Sequence, residues 1–329
     1  MRMYTLGIDI GGTKCAVILG KGVLPEGGDE GFIIAKKAFP TRTAAGWREV
    51  LAQIMSEADA LLDENGVMQN QLKAVGISCG GPLDSTRGVI LSPPNLPGWD
   101  EVPITSMLEQ HFGVRAYLRN DANACALAEW RFGAARGTRN AVFLTFGTGM
   151  GAGLVLDGKL YSGTNDMAGE VGHIRLSPDG PEGYGKRGSF EGFCSGGGIA
   201  RLAQSMAKKA LRDGGKSGLF KEENDICSIT AKSVALAADA GDALANEVLD
   251  ICAQRLGEGL SLIIDILNPQ VIVIGSIYAR NEARFLPQII KVIEKEALEL
   301  SARVCRVLPA ALGESIGDYA ALSAAFEGE

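Results

Sequence analysis

Long uninterrupted apolar runs are missing from this 329-residue chain. The opening MRMYTLGIDIGG is broken by Asp9 and a glycine pair before it reaches the length of a signal-peptide core. The most apolar interior stretch, LSLIIDILNPQVIVIGS, is interrupted by Asp265, Asn268 and Pro269, which excludes a membrane span. A basic surplus is also missing: 32 Lys and Arg face 39 Asp and Glu, for a net charge of −7, which argues against a general nucleic-acid binder. The seven cysteines are dispersed with no C-x-x-C pair, a usage that fits reduced thiols in a cytoplasm. No Ser/Pro-rich linker or low-complexity tract divides the chain. These absences predict a soluble cytoplasmic protein with neither a membrane nor a nucleic-acid partner. Glycine is abundant, at 44 residues, about twice the usual ~7%. With no collagen-like period, those glycines are expected in turns and close backbone approaches. The length predicts roughly two domains of ordinary size.

Along the chain, residues 3–10 read as a strand, Gly11-Gly12 as a turn, and KCAVILG as a returning strand. FIIAKKAF is a third strand, followed by a helix from about Thr43 whose stripe is Trp47, Val50, Leu51, Ile54, Ala58, Leu61 and Leu62. Asn65-Gly66 supply its stop. LKAVGIS, a short helix ending near Phe112, VRAYLRN and the helix DANACALAEWRFG complete a β-β-β-α-β-α-β-α series. The opening pattern then recurs as AVFLTF, GTGMG and AGLVLDG, which reads as a duplication of one fold unit. Helices are expected at about 195–212, 230–239 and 242–267, then the strand VIVIG, a helix through 284–300, the strand CRVLP and a closing helix from Asp318.

Both glycine turns have the dimensions of a phosphate. Gly11 and Gly12 leave room for a phosphate to approach backbone N–H groups, Thr13 adds a hydroxyl and Lys14 a charge. Asp9, at the strand end, has the chemistry to hold Mg²⁺ directly or through water. A plain hairpin turn is the competing reading. The second turn, Gly147-Thr148-Gly149-Met150-Gly151, fits a loose dinucleotide fingerprint, yet the segment after it is a strand where that motif needs a helix. Neither turn is a Walker A loop. Two such turns in related half-repeats fit a clamp on one polyphosphate.

That geometry resembles the actin-like ATPase and sugar-kinase superfamily, and the residues within it resemble the ROK family (repressors, uncharacterised frames and sugar kinases), in a glucokinase-like form. The motifs are the DIGGTK turn, the GGP turn with PPNLPGW, NDANACALAE, FGTGMGAG, GEVGH and VIVIGS. The resemblance implies an α/β fold of duplicated actin-like (ribonuclease-H-like) domains with an interdomain active-site cleft. The boundaries expected are 1–119, joined by the closing helix at about 316–329, and 120–315. It implies ATP and Mg²⁺ as cofactors, with Asp9, Gly11, Gly12, Thr13, Lys14, Gly147, Thr148, Gly149 and Gly275 on the ATP and phosphate side, and Asp9 holding the metal through water.

On local grounds Asn120-Asp121 is a helix cap. The resemblance implies more: Asp121 accepts the proton of the sugar's 6-hydroxyl, and Asn120 binds another sugar hydroxyl. It also places Gly81 and Asn95 against the sugar, with Glu170, His173 and Glu191 around its C1 and C2 hydroxyls. The family pattern G-E-x-G-H followed by C-x-C-G-x-x-G-C-x-E binds a structural zinc. Here the three cysteine positions hold Glu182, Tyr184 and Ser189, and one histidine with no thiolate cannot complete a closed four-ligand site, so no zinc is expected. Packing of Tyr184 and Phe190 is expected to hold the loop in its place. His111 reads as structural.

The function implied is an ATP-dependent kinase of a hexose 6-hydroxyl, with glucose the default. An N-acetylmannosamine, N-acetylglucosamine or fructose acceptor is the alternative, and polyphosphate an alternative donor. A homodimer is carried over from the family. A sugar-responsive repressor of the same family would carry a helix-turn-helix domain before the first glycine turn, and this sequence reaches Asp9 without room for one. A catalytically dead sugar sensor would not need both phosphate turns.

Overall fold

The computed structural model describes residues 3–25 and 31–326. The outermost ends of the expected domains, residues 1–2 and 327–329, lie outside the described residues. β1 (Tyr4–Ile10), β2 (Lys14–Lys21) and β3 (Ile33–Pro40) form an antiparallel meander. α1 (Trp47–Glu64) buries the apolar stripe read from the sequence and stops at Asn65, followed by Gly66 at φ 64°. β4 (Leu72–Cys79) runs parallel to β1, and a small hairpin, β5 (Leu83–Asp84) and β6 (Val89–Ile90), leads to α2 (Ile104–Phe112). β7 (Arg115–Asn120) lies parallel to β4 and passes directly into α3 (Asp121–Phe132).

β8 (Ala141–Leu144), β9 (Ala152–Leu156) and β10 (Lys159–Tyr161) follow, then a second small hairpin, β11 (Glu182–Gly183) and β12 (Lys186–Arg187). The helices α4 (Phe190–Phe193), α5 (Gly196–Arg212), α6 (Glu223–Ile226), α7 (Ala231–Asp239) and α8 (Ala243–Leu267) precede β13 (Val271–Ile274). α9 (Ile277–Glu296), α10 (Glu299–Ala302), β14 (Arg306–Pro309) and α11 (Ile316–Ala324) close the order. The two five-stranded sheets are ordered β3-β2-β1-β4-β7 and β10-β9-β8-β13-β14. Each is three consecutive strands with two parallel strands added beside the first, so the repeat read from the glycine turns is a repeat of topology.

Contacts divide the chain into two compact units, Met1–Gly137 with Gly153–Ala168 and Ala311–Glu329, and Thr138–Ala152 with Gly169–Ala310. This division differs from a boundary at Asn120, because α3 packs against α11 within the first unit. The first sheet is buried on both faces. Leu6, Ile8 and Ile10 face a core shared with Val50, Ile54 and Leu108, and Ala16 and Ile18 face one shared with Ala124, Ala128 and Leu322. The second face is lined with small residues because α11 sits directly on it: a Cβ at Gly76 would come 2.1 Å from the Ala321 carbonyl oxygen. That contact explains the glycine inside LKAVGIS.

Three element readings change. The helix expected through 284–300 begins at Ile277 and ends at Glu296, with α10 separate. Asn281 (φ −131°, ψ 21°) kinks it, its amide donating to the Ile277 carbonyl at 2.8 Å, and the sequence pattern registered only the half beyond the kink. The hairpins β5–β6 and β11–β12 went unseen because two-residue strands carry no readable alternation.

Candidate active site

In the first unit the DIGGTK turn is closed by the Gly11 N–H donating to the Lys14 carbonyl at 3.0 Å. The Thr41 hydroxyl donates to the Gly11 carbonyl at 2.6 Å, and the Thr41 N–H to the Thr13 carbonyl at 2.9 Å, so the residue that follows β3 pins the turn from outside. Gly12 lies against Asn95, whose carbonyl oxygen would be 2.5 Å from any Cβ there. The Asn95 side chain in turn lies beside Gly80, and that of Asn120 beside Gly81, where added Cβ atoms would come 3.3 and 3.1 Å from the respective amide nitrogens. Sequence segments some 110 residues apart, counted over roughly Gly12 to Asp121, thus converge on one edge of the first sheet, at the C-terminal ends of β1, β4 and β7. This is where ligands bind in α/β sheets.

Asn120 and Asp121 satisfy the cap reading and leave groups over. Asn120 Oδ1 accepts from the Ala122 N–H at 2.8 Å and the Asn123 N–H at 3.4 Å, which leaves its amide N–H₂ for a ligand. One carboxylate oxygen of Asp121 accepts from the Ala122 N–H at 2.8 Å, fixing the side chain at the first turn of α3. Desolvation pushes the Asp121 carboxyl above its usual range, opposed by that N–H. Asp121 is exposed to solvent, which makes the push smaller than full burial would give. A carboxylate made more basic and held open on one side is suited to take a proton.

Asp9 is half-buried, and burial together with the negative charges of Asp318 and Asp121 raises its pKa to about 6, while Lys36 and Lys14 oppose the rise. Asp318, in the first turn of α11, pairs with Lys36 Nζ at 2.5 Å. The preceding Gly317 lies so near Asp9 that a Cβ there would sit 3.0 Å from Oδ2. The sequence reading missed Asp318 and Lys36 because 282 residues separate the partners.

In the second unit the turn 147–151 is tied across its base by the Thr145 N–H donating to the Gly151 carbonyl at 2.9 Å. Its Gly147 carbonyl accepts from the Gly196 N–H at the start of α5, at 2.8 Å. Glu191 Oε2 accepts from the Met150 N–H at 3.0 Å. Gly172 approaches the same turn so closely that a Cβ would lie 2.2 Å from the Met150 carbonyl, which explains the glycine in GEVGH. Glu170 and His173, both exposed, flank that contact on a single 3₁₀ turn (Val171–His173). The structure therefore gathers Gly147, Thr148, Gly149, Glu170, His173 and Glu191. His111 lies apart in the first unit, with its ring Nε2 2.9 Å from Asp59 Oδ2.

Beside the same turn is a cavity of about 770 Å³ lined by Gly147, Thr148, Gly197, Leu236, Ser276 and Ile277, among others. Its walls are mostly apolar, with Lys232 and Arg280 at the lining. Gly275 is buried and does not line it: its N–H donates to the Leu144 carbonyl at 3.0 Å, and its neighbour Ser276 reaches the cavity instead. The run Ser195-Gly-Gly-Gly198, with the Ser195 hydroxyl accepting from the Gly198 N–H, was the readable signal for this wall.

The zinc positions do not fit a metal. Ser189 is buried and its hydroxyl accepts from the Gly192 N–H at 3.1 Å, capping α4. Tyr184 is 79% exposed, so it does not pack into a core, and only edges the His173 ring. Phe190 is fully buried, against Gly259, as expected. A carboxylate, a phenol and an engaged hydroxyl are not the thiolate set of a structural zinc.

Two sheets of one topology, each with a glycine turn after its first strand, define the actin-like ATPase and sugar-kinase fold. The ROK family signature matches residues 5–325, and the chain belongs to the ROK family. It is 33% identical over 318 residues to the glucokinase of Halalkalibacterium halodurans, covering 96% of this chain and 92% of that one. Its fold is similar to the ROK hexokinase of Thermus thermophilus (TM-score 0.80, 29% identity, 98% of each chain). It is also similar to a Streptomyces griseus ROK glucokinase in complex with glucose and AMPPNP (TM-score 0.72, 29% identity, 99% and 100% covered). Transcriptional repressors are also among its relatives. The chain is a phosphotransferase of the sugar-kinase class. Among the described residues no helix is long and apolar enough to cross a membrane.

Proposed function

We propose that the protein is an ATP-dependent hexose kinase that phosphorylates the 6-hydroxyl of its substrate, with glucose the first choice. The observation that carries this reading is Asp121, fixed by the Ala122 N–H at the start of α3 and raised in basicity, in the same unit as Asn95, Gly81 and the DIGGTK turn. The sugar's 6-oxygen attacks the γ-phosphorus, its proton passes to the Asp121 carboxylate, and the bond from the γ-phosphorus to the β,γ-bridging oxygen breaks to release ADP. Positioning and charge stabilisation supply most of the rate in such transfers.

Asn120 contributes the amide N–H₂ left over from capping, and Asn95 and Gly81 complete the sugar contacts of the first unit. Glu170, His173 and Glu191 are assigned to the C1 and C2 hydroxyls. Gly11, Gly12, Thr13 and Lys14, with Gly147, Thr148 and Gly149, are assigned to the phosphates, and Gly275 shapes the nucleotide wall through Ser276. Mg²⁺, when bound, neutralises charge on the phosphates, and Asp9 is the residue to hold it, through water. A half-buried carboxylate raised to about 6 by burial and by two neighbouring carboxylates fits a hard cation. The cavity beside Thr148 supports a nucleoside triphosphate over bare polyphosphate, which has no apolar part to place there. A cytoplasmic homodimer belongs to the same reading. The exposed apolar Ile266, Leu298, Leu300 and Val304 of the second unit give a second copy something to cover.

The test is the fate of the label from γ-³²P-ATP incubated with each hexose. Label on the 6-oxygen of glucose supports the proposal, and label that stays as ATP or appears only as inorganic phosphate overturns it.

A further inference from the structure

Where the family resemblance places a zinc, the chain instead holds its loop with two cations that grip opposite strands. Lys186 Nζ donates to the His173 carbonyl at 2.7 Å, and Arg175 Nη1 donates to the Arg187 carbonyl at 2.6 Å. The segment after His173 and the segment before Glu191 are thereby clasped reciprocally. Backbone bonds fill in the rest: the Leu176 and Ser177 N–H groups both donate to the Gly188 carbonyl, and the Phe190 N–H donates to the Ile174 carbonyl at 2.8 Å. Ser189, at a former thiolate position, caps α4 and also reaches the Gly183 carbonyl at 3.4 Å.

Of these bonds only one ends on the residue assigned to the sugar. A metal bound to His173 would fix its ring. The Lys186 ammonium instead fixes its backbone, and an ion-to-carbonyl hydrogen bond is roughly twice as strong as a neutral one. Lys186 is half-buried within β12, while the bond it makes to the His173 carbonyl is open to solvent.

We infer that Lys186 is a positioning residue for the sugar, acting through the His173 carbonyl, and that it replaces the metal of the related loops. The role of His173 as a sugar ligand rests on the kinase reading above, whereas the clasp itself does not. Because the clasp is made of side chains already in the chain, the loop keeps its shape under chelation.

The experiment compares the wild type with Lys186→Met, which keeps the unbranched stem, and Lys186→Arg, which keeps the cation. Metal content, melting temperature, amide hydrogen exchange over 170–177 and hexose kinetics are measured before and after dialysis against a chelator. The expected results are no stoichiometric zinc and no chelator effect. Faster exchange over 173–176 is expected in Lys186→Met, with a KM for the hexose raised about tenfold, the scale of one charge-assisted hydrogen bond. Its kcat and melting temperature stay near the wild type, and Lys186→Arg restores both exchange and KM. Stoichiometric zinc whose removal raises KM overturns the inference. So does Lys186→Met with wild-type exchange, or with faster exchange and an unchanged KM. If no hexose is turned over at all, the exchange comparison still reads the clasp, and the kinase reading fails separately.

Discussion

Glu191 Oε2 accepts a hydrogen bond from the Met150 N–H at 3.0 Å. The contact needs Gly149, since a Cβ there would come 2.8 Å from the same oxygen. The carboxylate assigned to a sugar hydroxyl therefore also braces the second glycine turn. Glu191→Ala leaves that N–H without its partner, and nucleotide affinity is expected to fall about fivefold even with no sugar present, the scale of one net hydrogen bond. Glu191→Gln keeps an acceptor oxygen and is expected to bind like the wild type. Calorimetric titration with AMPPNP decides, and wild-type affinity in the alanine variant contradicts the bracing role.

Asp121→Asn keeps the shape of the cap and removes the base. Turnover is expected to drop by about 10²–10⁴, the usual range for a positioned general base. Sugar binding, followed by calorimetry, is expected to persist. An asparagine variant that retains most of its turnover would place the proton acceptor elsewhere.

Asp9 links pH to stability. Its folded pKa is about 6 against an ordinary 3.8, so the folded state holds the proton more tightly than the unfolded chain. Stability contributed by this group is present below the ordinary value and is lost as pH rises through about 6. Asp9→Asn removes the buried charge and is expected to stabilise the protein at pH 8 by on the order of 2 kcal/mol, with the gain fading towards pH 4. Urea unfolding at several pH values checks this, and a gain that grows on acidification has the wrong sign.

Ser276 holds φ 53° and ψ −111°, a region that glycine enters without steric cost. Conformations of this kind cost other residues about 1–3 kcal/mol. Ser276→Gly is accordingly expected to raise the melting temperature by about 2–4 °C. A thermal scan showing no change or a loss would mean that the serine hydroxyl compensates.

The turns were legible because each is local: glycines and a hydroxyl within five residues, with a carboxylate just before the first, between strands whose alternation can be read. The Asn120 cap was legible for the same reason, whereas its surplus amide emerged only from the hydrogen bonds that occupy its oxygen. Packing of distant segments was not legible. Gly12 against Asn95, Gly172 against Met150 and Lys36 against Asp318 are meetings of residues whose own sequence neighbourhoods carry no sign of the partner. Tyr184 misled for a related reason, since an aromatic in a glycine-rich loop reads as an anchor, and only the tertiary fold shows it turned to solvent at φ 44°. Lys186 drew no attention because a lysine in a loop is most often solvated. Its partner is a backbone carbonyl, which no sequence pattern marks.

The most direct measurement is ADP release by the purified protein with MgATP and a panel of hexoses, in buffer free of zinc. Sugar-dependent release, strongest with glucose, is the predicted result. A folded protein that releases no ADP above its sugar-free rate with any hexose would contradict the account.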